Sequence, residues 1–136
     1  MATITAKDFE VGTEILMVDK GVITQERMGL EGTNPVHHDP EFAKRAGFPG
    51  TLVAGAWSAS WISELMMKSF GEGWVKGGKF TVTFIKPLIA GDAVKARGIV
   101  TGKEEEGEAV RVTLEVWCEN QKGEKTTVGT ASALVR

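Results

Sequence analysis

The sequence predicts an α+β chain in which a curved antiparallel sheet wraps around one central helix. Three observations lead there. From about Ala56 to Phe70, Trp57, Trp61, Leu65 and Met66 recur at helical spacing, and the segment carries little charge except near its end. After Gly71-Glu72-Gly73 the period drops to two, and the rest of the chain reads as strands joined by turns. Hairpins with one apolar face must cover something, and the Ala56–Phe70 helix is the only large apolar element on offer.

An extended stretch around Ile15-Leu16-Met17-Val18 comes first, followed by a short strand edge at Val22-Ile23-Thr24. A short helix follows His38. Asp39 is a good N-cap, Pro40 suits the first helical position, Glu41 favours the positive end of the dipole, and Gly47 can take a left-handed stop. Gly50 to Gly55 is a glycine-bounded loop. Small residues (Ala54, Ala56, Ser58, Ala59, Ser60) crowd the first turns of the long helix, where Glu64 can pair with Lys68 one turn on. Phe80, Val82 and Phe84 then alternate with Lys79, Thr81 and Thr83 in a half-buried strand ending at Pro87. Gly91-Asp92 turns the chain into a strand from about Ala93 to Thr101, and Glu104 to Glu108 form a solvated hairpin tip. Val110, Val112, Leu114 and Val116 alternate with Arg111, Thr113, Glu115 and Trp117. After a turn at Asn120-Gln121-Lys122-Gly123, a last strand runs from about Lys125 to Val135, where Gly129, Ala131 and Ala133 allow a neighbour to approach closely.

The 136 residues suit one domain, 1–136, able to bury roughly two-thirds of its unfolded surface. Hydrophobic residues make up 42% and charged residues 25%, ordinary values for a globular chain. A net charge of -2 offers no basic face for nucleic acid. No apolar run reaches the ~20 residues needed to cross a bilayer, and the first residues lack the pattern of a signal peptide. The single cysteine, Cys118, excludes an internal disulfide and suits a reducing cytoplasm, where it packs as a small hydrophobe. We therefore expect a cytoplasmic protein with no membrane and no nucleic-acid partner.

The most informative segment is Thr33-Asn34-Pro35-Val36-His37-His38-Asp39-Pro40, with Gly47-Phe48-Pro49-Gly50-Thr51-Leu52-Val53-Ala54-Gly55 after it. Together they resemble the signature of the MaoC-like, (R)-specific enoyl-CoA hydratase branch of the hot dog superfamily. Val11-Gly12-Thr13 and Phe84-Ile85-Lys86-Pro87-Leu88-Ile89-Ala90-Gly91-Asp92 extend the resemblance over nearly the whole chain. It implies a single hot dog domain. In the family the central run reads roughly Gly-Asp-x-Asn-Pro-hydrophobic-His, and its Asp and His do the chemistry. Here His37 stands in the histidine place, and the aspartate place falls on Gly32.

As a functional residue His37 is a general base or acid toward water adding to a conjugated thioester, work to which imidazole is suited. As a structural one it hydrogen-bonds the Pro35 turn or caps the next helix. Glu31 supplies a carboxylate beside Gly32 if the backbone is shifted, and is otherwise an exposed loop carboxylate. Asn34 either orients His37 or the substrate, or sits before proline in an extended turn. Gly55 matches the glycine whose N–H faces the thioester oxygen, at a helix N-terminus where an enolate can be stabilised, or serves a tight turn. Ala54 stands where the family commonly has histidine. Trp57 and Trp61 line the acyl pocket, which would suit an aromatic acyl group, or belong to the core. A metal site from His37, His38 and Asp39 is not expected, because successive side chains diverge and no further histidine completes a set.

The resemblance implies a hydratase or dehydratase acting on a 2-enoyl or 3-hydroxyacyl thioester of coenzyme A or acyl carrier protein. It implies no cofactor beyond the thioester substrate, and at least a homodimer. Two alternatives stay open: a catalytically degenerate acyl-thioester-binding subunit of a hetero-oligomer with a related hot dog chain, or a thioesterase or cyclase on the same fold.

Overall fold

The structure, a computed structural model, describes residues 4–29 and 34–136. Its strands are β1 (Val18–Val22), β2 (Lys79–Phe84), β3 (Ala93–Glu106), β4 (Ala109–Glu119) and β5 (Lys125–Val135). They form one five-stranded antiparallel sheet in the order β1-β3-β4-β5-β2. The α-helices among the described residues are α1 (Gln25–Met28), α2 (Pro40–Arg45), α3 (Gly55–Phe70) and α4 (Glu72–Gly77).

α3 is the central element expected from the sequence. Ser58, Trp61, Ile62, Leu65, Met66 and Phe70 form its buried face, recurring every three or four residues. That face meets the inward residues of the sheet. The register sets Ala96 opposite Cys118, Val100 opposite Leu114, Leu114 opposite Ala131 and Val112 opposite Ala133, all of them buried. Residues directly opposite one another share a face, so each alternating run reads out as one wall of the core. Ile62, Leu65 and Met66 are fully buried, each stabilising the fold by roughly 1.5–3 kcal/mol.

The small residues of β5 allow the close approach expected of them. Ala131 and Ala133 lie buried in the core, and a Cβ on Gly129 would sit 2.1 Å from the Thr81 carbonyl oxygen of β2. Glu64 pairs with Lys68 at 3.2 Å and also with Lys20 of β1 at 3.0 Å, so it ties the helix to an edge strand. The Lys20 hydrogen bond holds its carboxyl below the usual range.

Several elements differ from expectation for local reasons. β1 runs from Val18 to Val22, so of the expected strand edge Val22-Ile23-Thr24 only Val22 is in a strand, because Thr24 caps α1. The stretch before β1 lies along β3 through the Glu14–Ile99 bridge and the N–H groups of Gly12, Ile15 and Val100, which donate to the carbonyls of Val100, Gly98 and Thr13 at 2.8, 3.0 and 2.8 Å. α1, capped by the Thr24 hydroxyl accepting from the Arg27 N–H at 3.1 Å, and α4 are too short to leave a helical period in the sequence. β3 runs on to Glu106, so Glu104, Glu105 and Glu106 pair with Arg111, Val110 and Ala109, and the tip is only Gly107-Glu108. Arg111 offsets that charge through Glu106 at 2.9 Å. In β2 the alternation is right but the burial is not: Phe80 is 41% and Phe84 56% exposed. β2 is an edge strand: Val82 at its middle packs against the core, and Phe80 meets it with one ring edge, against Trp74. No helix among the described residues is long and apolar enough to cross a membrane.

Trp61 is buried in the core, edge-on to a half-buried Trp57, with ring centroids 5.9 Å apart and planes at 89°. Trp61→Ala should therefore cost roughly 3–5 kcal/mol, read as a shift in the urea midpoint at unchanged slope.

Candidate active site

Two local caps fix the backbone around His37. The Asn34 Oδ1 accepts from the Val36 N–H at 3.1 Å and closes a single 3-10 turn over Pro35–His37. The Asp39 Oδ1 accepts from the N–H groups of Glu41 and Phe42, at 3.0 and 3.2 Å, and starts α2. Between them His37 Nδ1 lies 2.8 Å from the Leu52 carbonyl oxygen. A carbonyl can only accept, so Nδ1 carries the proton, and Nε2 of the neutral ring is left with its lone pair. The backbone is held as well. The Gln25 amide of α1 donates to the His37 carbonyl at 3.1 Å and to the Gly29 carbonyl at 3.3 Å, and its oxygen accepts from the Thr51 hydroxyl.

The second component is the start of α3. Thr51 to Val53 runs beside Leu88 to Ala90, through Val53 N–H to the Leu88 carbonyl and Ala90 N–H to the Thr51 carbonyl, each at 2.9 Å. This delivers the chain to Ala54, the N-cap, which supplies no capping side chain. Among the described residues no acceptor engages the N–H groups of Gly55 or Ala56. The positive end of the α3 dipole is therefore available to a ligand. Gly55 has a steric reason to be glycine, since a Cβ there would lie 2.8 Å from the Phe84 ring. Phe84 reaches this point because it pairs with Thr127 across β2 and β5.

His37 and Gly55 open onto one cavity of about 320 Å³. Leu52, Val53, Phe84, Ile85 and Leu88 make its walls apolar, Ser58 and Thr127 add hydroxyls, and Lys86 stands beside them. Lys86 is paired with Glu124, whose carboxyl its hydrogen bond holds below the usual range. Of the residues singled out from the sequence, His37 and Gly55 are thus brought together. Asn34 is exposed, its oxygen engaged as a cap, and Ala54, Trp57 and Trp61 do not line this cavity. Glu31 and Gly32 lie outside the described residues. Sequence reasoning missed Gln25, Thr51, Phe84, Ser58 and Thr127 as parts of the site. Only Ser58 carried a readable signal, standing three residues after Gly55 on the same helix face.

A larger hollow of about 710 Å³ lies at the other end of α3, between Phe70 and Gly71 and the β3–β4 hairpin. Its charged side chains largely answer one another, with Lys76 on Glu72 at 2.6 Å and Glu106 engaged by Arg111. The start of α4, at Gly71 to Gly73, borders it, but no histidine lines it, and Glu72 already sits in the first turn of that helix. Among the described residues no three of His, Cys, Asp and Glu gather as a metal site.

The model of the MaoC-like domain matches residues 30–122, well over half the chain. The chain belongs to the MaoC-like domain family. Of the segments that carried the resemblance, 34–55 and 84–92 fall inside the matched span and Val11-Gly12-Thr13 lies before it. No curated protein matches the chain in sequence. Solved structures do. The (R)-hydratase of A. caviae involved in PHA biosynthesis is 27% identical, with 96% of this chain and 100% of that one covered at a TM-score of 0.77. The R-hydratase PhaJ1 of Pseudomonas aeruginosa, unliganded, is 25% identical, covering 98% and 86% at 0.79. The ChsH1–ChsH2 complex of Mycobacterium tuberculosis, at 18% identity, covers 93% and 98% with a TM-score of 0.75 and shows the fold alone. The sheet wrapped around α3 is the hot dog fold of these MaoC-like structures.

Beneath the cavity, the Cys118 thiol lies 3.7 Å from the Ser58 carbonyl oxygen, and burial pushes its pKa up to about 12. At pH 8 the native protein should leave an aromatic disulfide reagent unreacted over minutes, and one thiol per chain should appear once urea is added. Rapid native labelling would show that β4 is not sealed against α3 there.

Proposed function

We propose that this chain is an acyl-thioester hydratase or dehydratase, adding water to a 2-enoyl thioester of coenzyme A or acyl carrier protein, or reversing that step. The observation that carries this reading is the meeting of His37 and Gly55 in one apolar-walled cavity. A base with a free Nε2 and unengaged N–H groups at a helix start are what conjugate addition of water requires. As the water oxygen bonds to C3, its proton passes to Nε2. The electron pair of the C2=C3 bond moves toward the thioester, whose oxygen takes up charge against the Gly55 N–H. C2 then receives a proton. The two solved (R)-hydratases lend the activity by likeness. No oxidation or reduction accompanies the step, so no cofactor is needed beyond the thioester carrier.

Proton transfer at C2 calls for a second acid or for His37 returning its own proton. Glu31, the carboxylate nearest His37 on its N-terminal side, is the residue we assign to that work. The walls suit an acyl chain of modest size, and Phe84 is the aromatic residue on them. Trp57 and Trp61, from which an aromatic acyl group was argued, lend it no support here, since neither reaches this cavity. Gly32, standing where the family motif places aspartate, favours a second reading, in which this chain shapes the tunnel for a catalytic hot dog partner.

His37→Ala should abolish turnover of enoyl thioesters, and Glu31→Gln should lower it about 10²-fold or more, followed as loss of enoyl absorbance. Full activity of Glu31→Gln beside a dead His37→Ala would mean that His37 moves both protons. Wild-type rates in both variants would refute the roles given to His37 and Glu31, and no turnover by the wild-type chain alone would favour the partner-subunit reading.

We further propose a cytoplasmic homodimer. Among the described residues no strand pairs with the outer edge of β2, and Phe80, Phe84 and Ile85 are exposed along it and just beyond. An open apolar edge invites a second strand. Light scattering at micromolar concentration should give at least twice the chain mass of 14.6 kDa; a clean monomer would refute this.

A further inference from the structure

Resting on the hydratase reading above, we propose that Ser58 and Thr127 form a hydroxyl pair that binds the oxygen gained or lost at C3 of the acyl group. Both side chains line the cavity that holds His37, yet Ser58 is only 3% and Thr127 only 2% exposed. Among the described residues neither hydroxyl has a hydrogen-bond partner, while no sealed side-chain polar atom is left without one. The two oxygens must therefore meet the open space of the cavity rather than packed protein.

Their positions converge from separate elements. Ser58 lies three residues into α3 from Gly55, on the same face. Thr127 sits opposite Cys118 across β4 and β5 and opposite Phe84 across β2 and β5. Cys118 in turn places its sulfur 3.7 Å from the Ser58 carbonyl oxygen. The strand pairing and that contact set both residues on the wall of the cavity that Gly55 also lines.

A hydrocarbon chain filling this space would strand two buried hydroxyls, which is costly. A ligand oxygen answers both. One hydroxyl donates to a lone pair of a water molecule and the other accepts from one of its O–H groups, which leaves the second lone pair for C3 and the remaining proton for His37 Nε2. In the addition the oxygen forms its bond to C3, the proton passes to Nε2, and the pair keeps hold of the same oxygen as the product hydroxyl. Such a pair holds water where the motif position at Gly32 offers no side chain to do so.

The test compares binding of 3-hydroxybutyryl-CoA with that of butyryl-CoA, which lacks only the oxygen, by calorimetry. Wild type should prefer the hydroxy compound by about tenfold or more. The double variant Ser58→Ala/Thr127→Val should lose that preference while still binding butyryl-CoA, and Thr127→Ser alone should keep it. Should the double variant fail to fold, by melting temperature, each single variant is expected to lose part of the preference. Equal binding of both thioesters by wild type, or a preference that survives in the folded hydroxyl-free variant, overturns the pair. Turnover of crotonyl-CoA by wild type is read separately. A protein that discriminates without hydrating keeps the hydroxyl site and sinks the hydratase reading, and one that hydrates without discriminating does the reverse. Binding of neither compound sinks both.

Discussion

The burial of α3 against the concave face of the sheet is the constraint on which the rest of the structure depends. Trp61, Ile62, Leu65, Met66 and Phe70 can leave water only if strands curve around them, and the alternating residues of β3, β4 and β5 supply that surface. Once the helix is seated its axis is set. Its N-terminus then has one place to be, beside the ends of β2 and β5 and the strand-like stretch around Leu52. The helix end of the cavity is thus positioned by hydrophobic packing remote from the cavity itself.

Polar contacts then refine what packing places. His37 is held at three levels: the Asn34 cap on its turn, the Gln25 amide on its carbonyl, and the Leu52 carbonyl on its ring. The last selects the tautomer, because an oxygen with no proton to give admits only a donor at Nδ1. The helix start opposite is left uncapped by Ala54. A capping side chain there would satisfy the helix and occupy the N–H groups that a ligand needs. The site combines one group made rigid by many partners with another kept available by having none.

How much of this was legible in the sequence follows from how far each feature depends on neighbours. α3 and the strands β2 to β5 were legible because hydrophobic period is a local property, whereas β1, Val18–Val22, fell between two stretches read as extended. Phe80 and Phe84 were recognised as strand residues, but their exposure depends on β2 lying at an edge, which no local pattern states. α1 and α4 are shorter than the window in which a helical period can be seen. His37 and Gly55 were legible through a compact motif with fixed spacing. Ser58 and Thr127 were not, since 69 positions separate them in the chain (127 minus 58) and only strand register brings them together. Glu31 falls outside the described residues.

The order of the strands also sets the order in which the site can come into being. β3, β4 and β5 are consecutive hairpin partners, whose loops close across a few residues. β2 must find β5 across more than forty residues, and β1 must find β3 across about seventy. Closing the longer loops costs more chain entropy and delays pairing. His37 and Gly55 both lie in the part of the chain that has to be brought back over the completed meander. A nascent or partly unfolded molecule can hold most of its sheet and still lack the cavity that His37 and Gly55 share, so an intact cavity is a stricter report of native structure here than strand content.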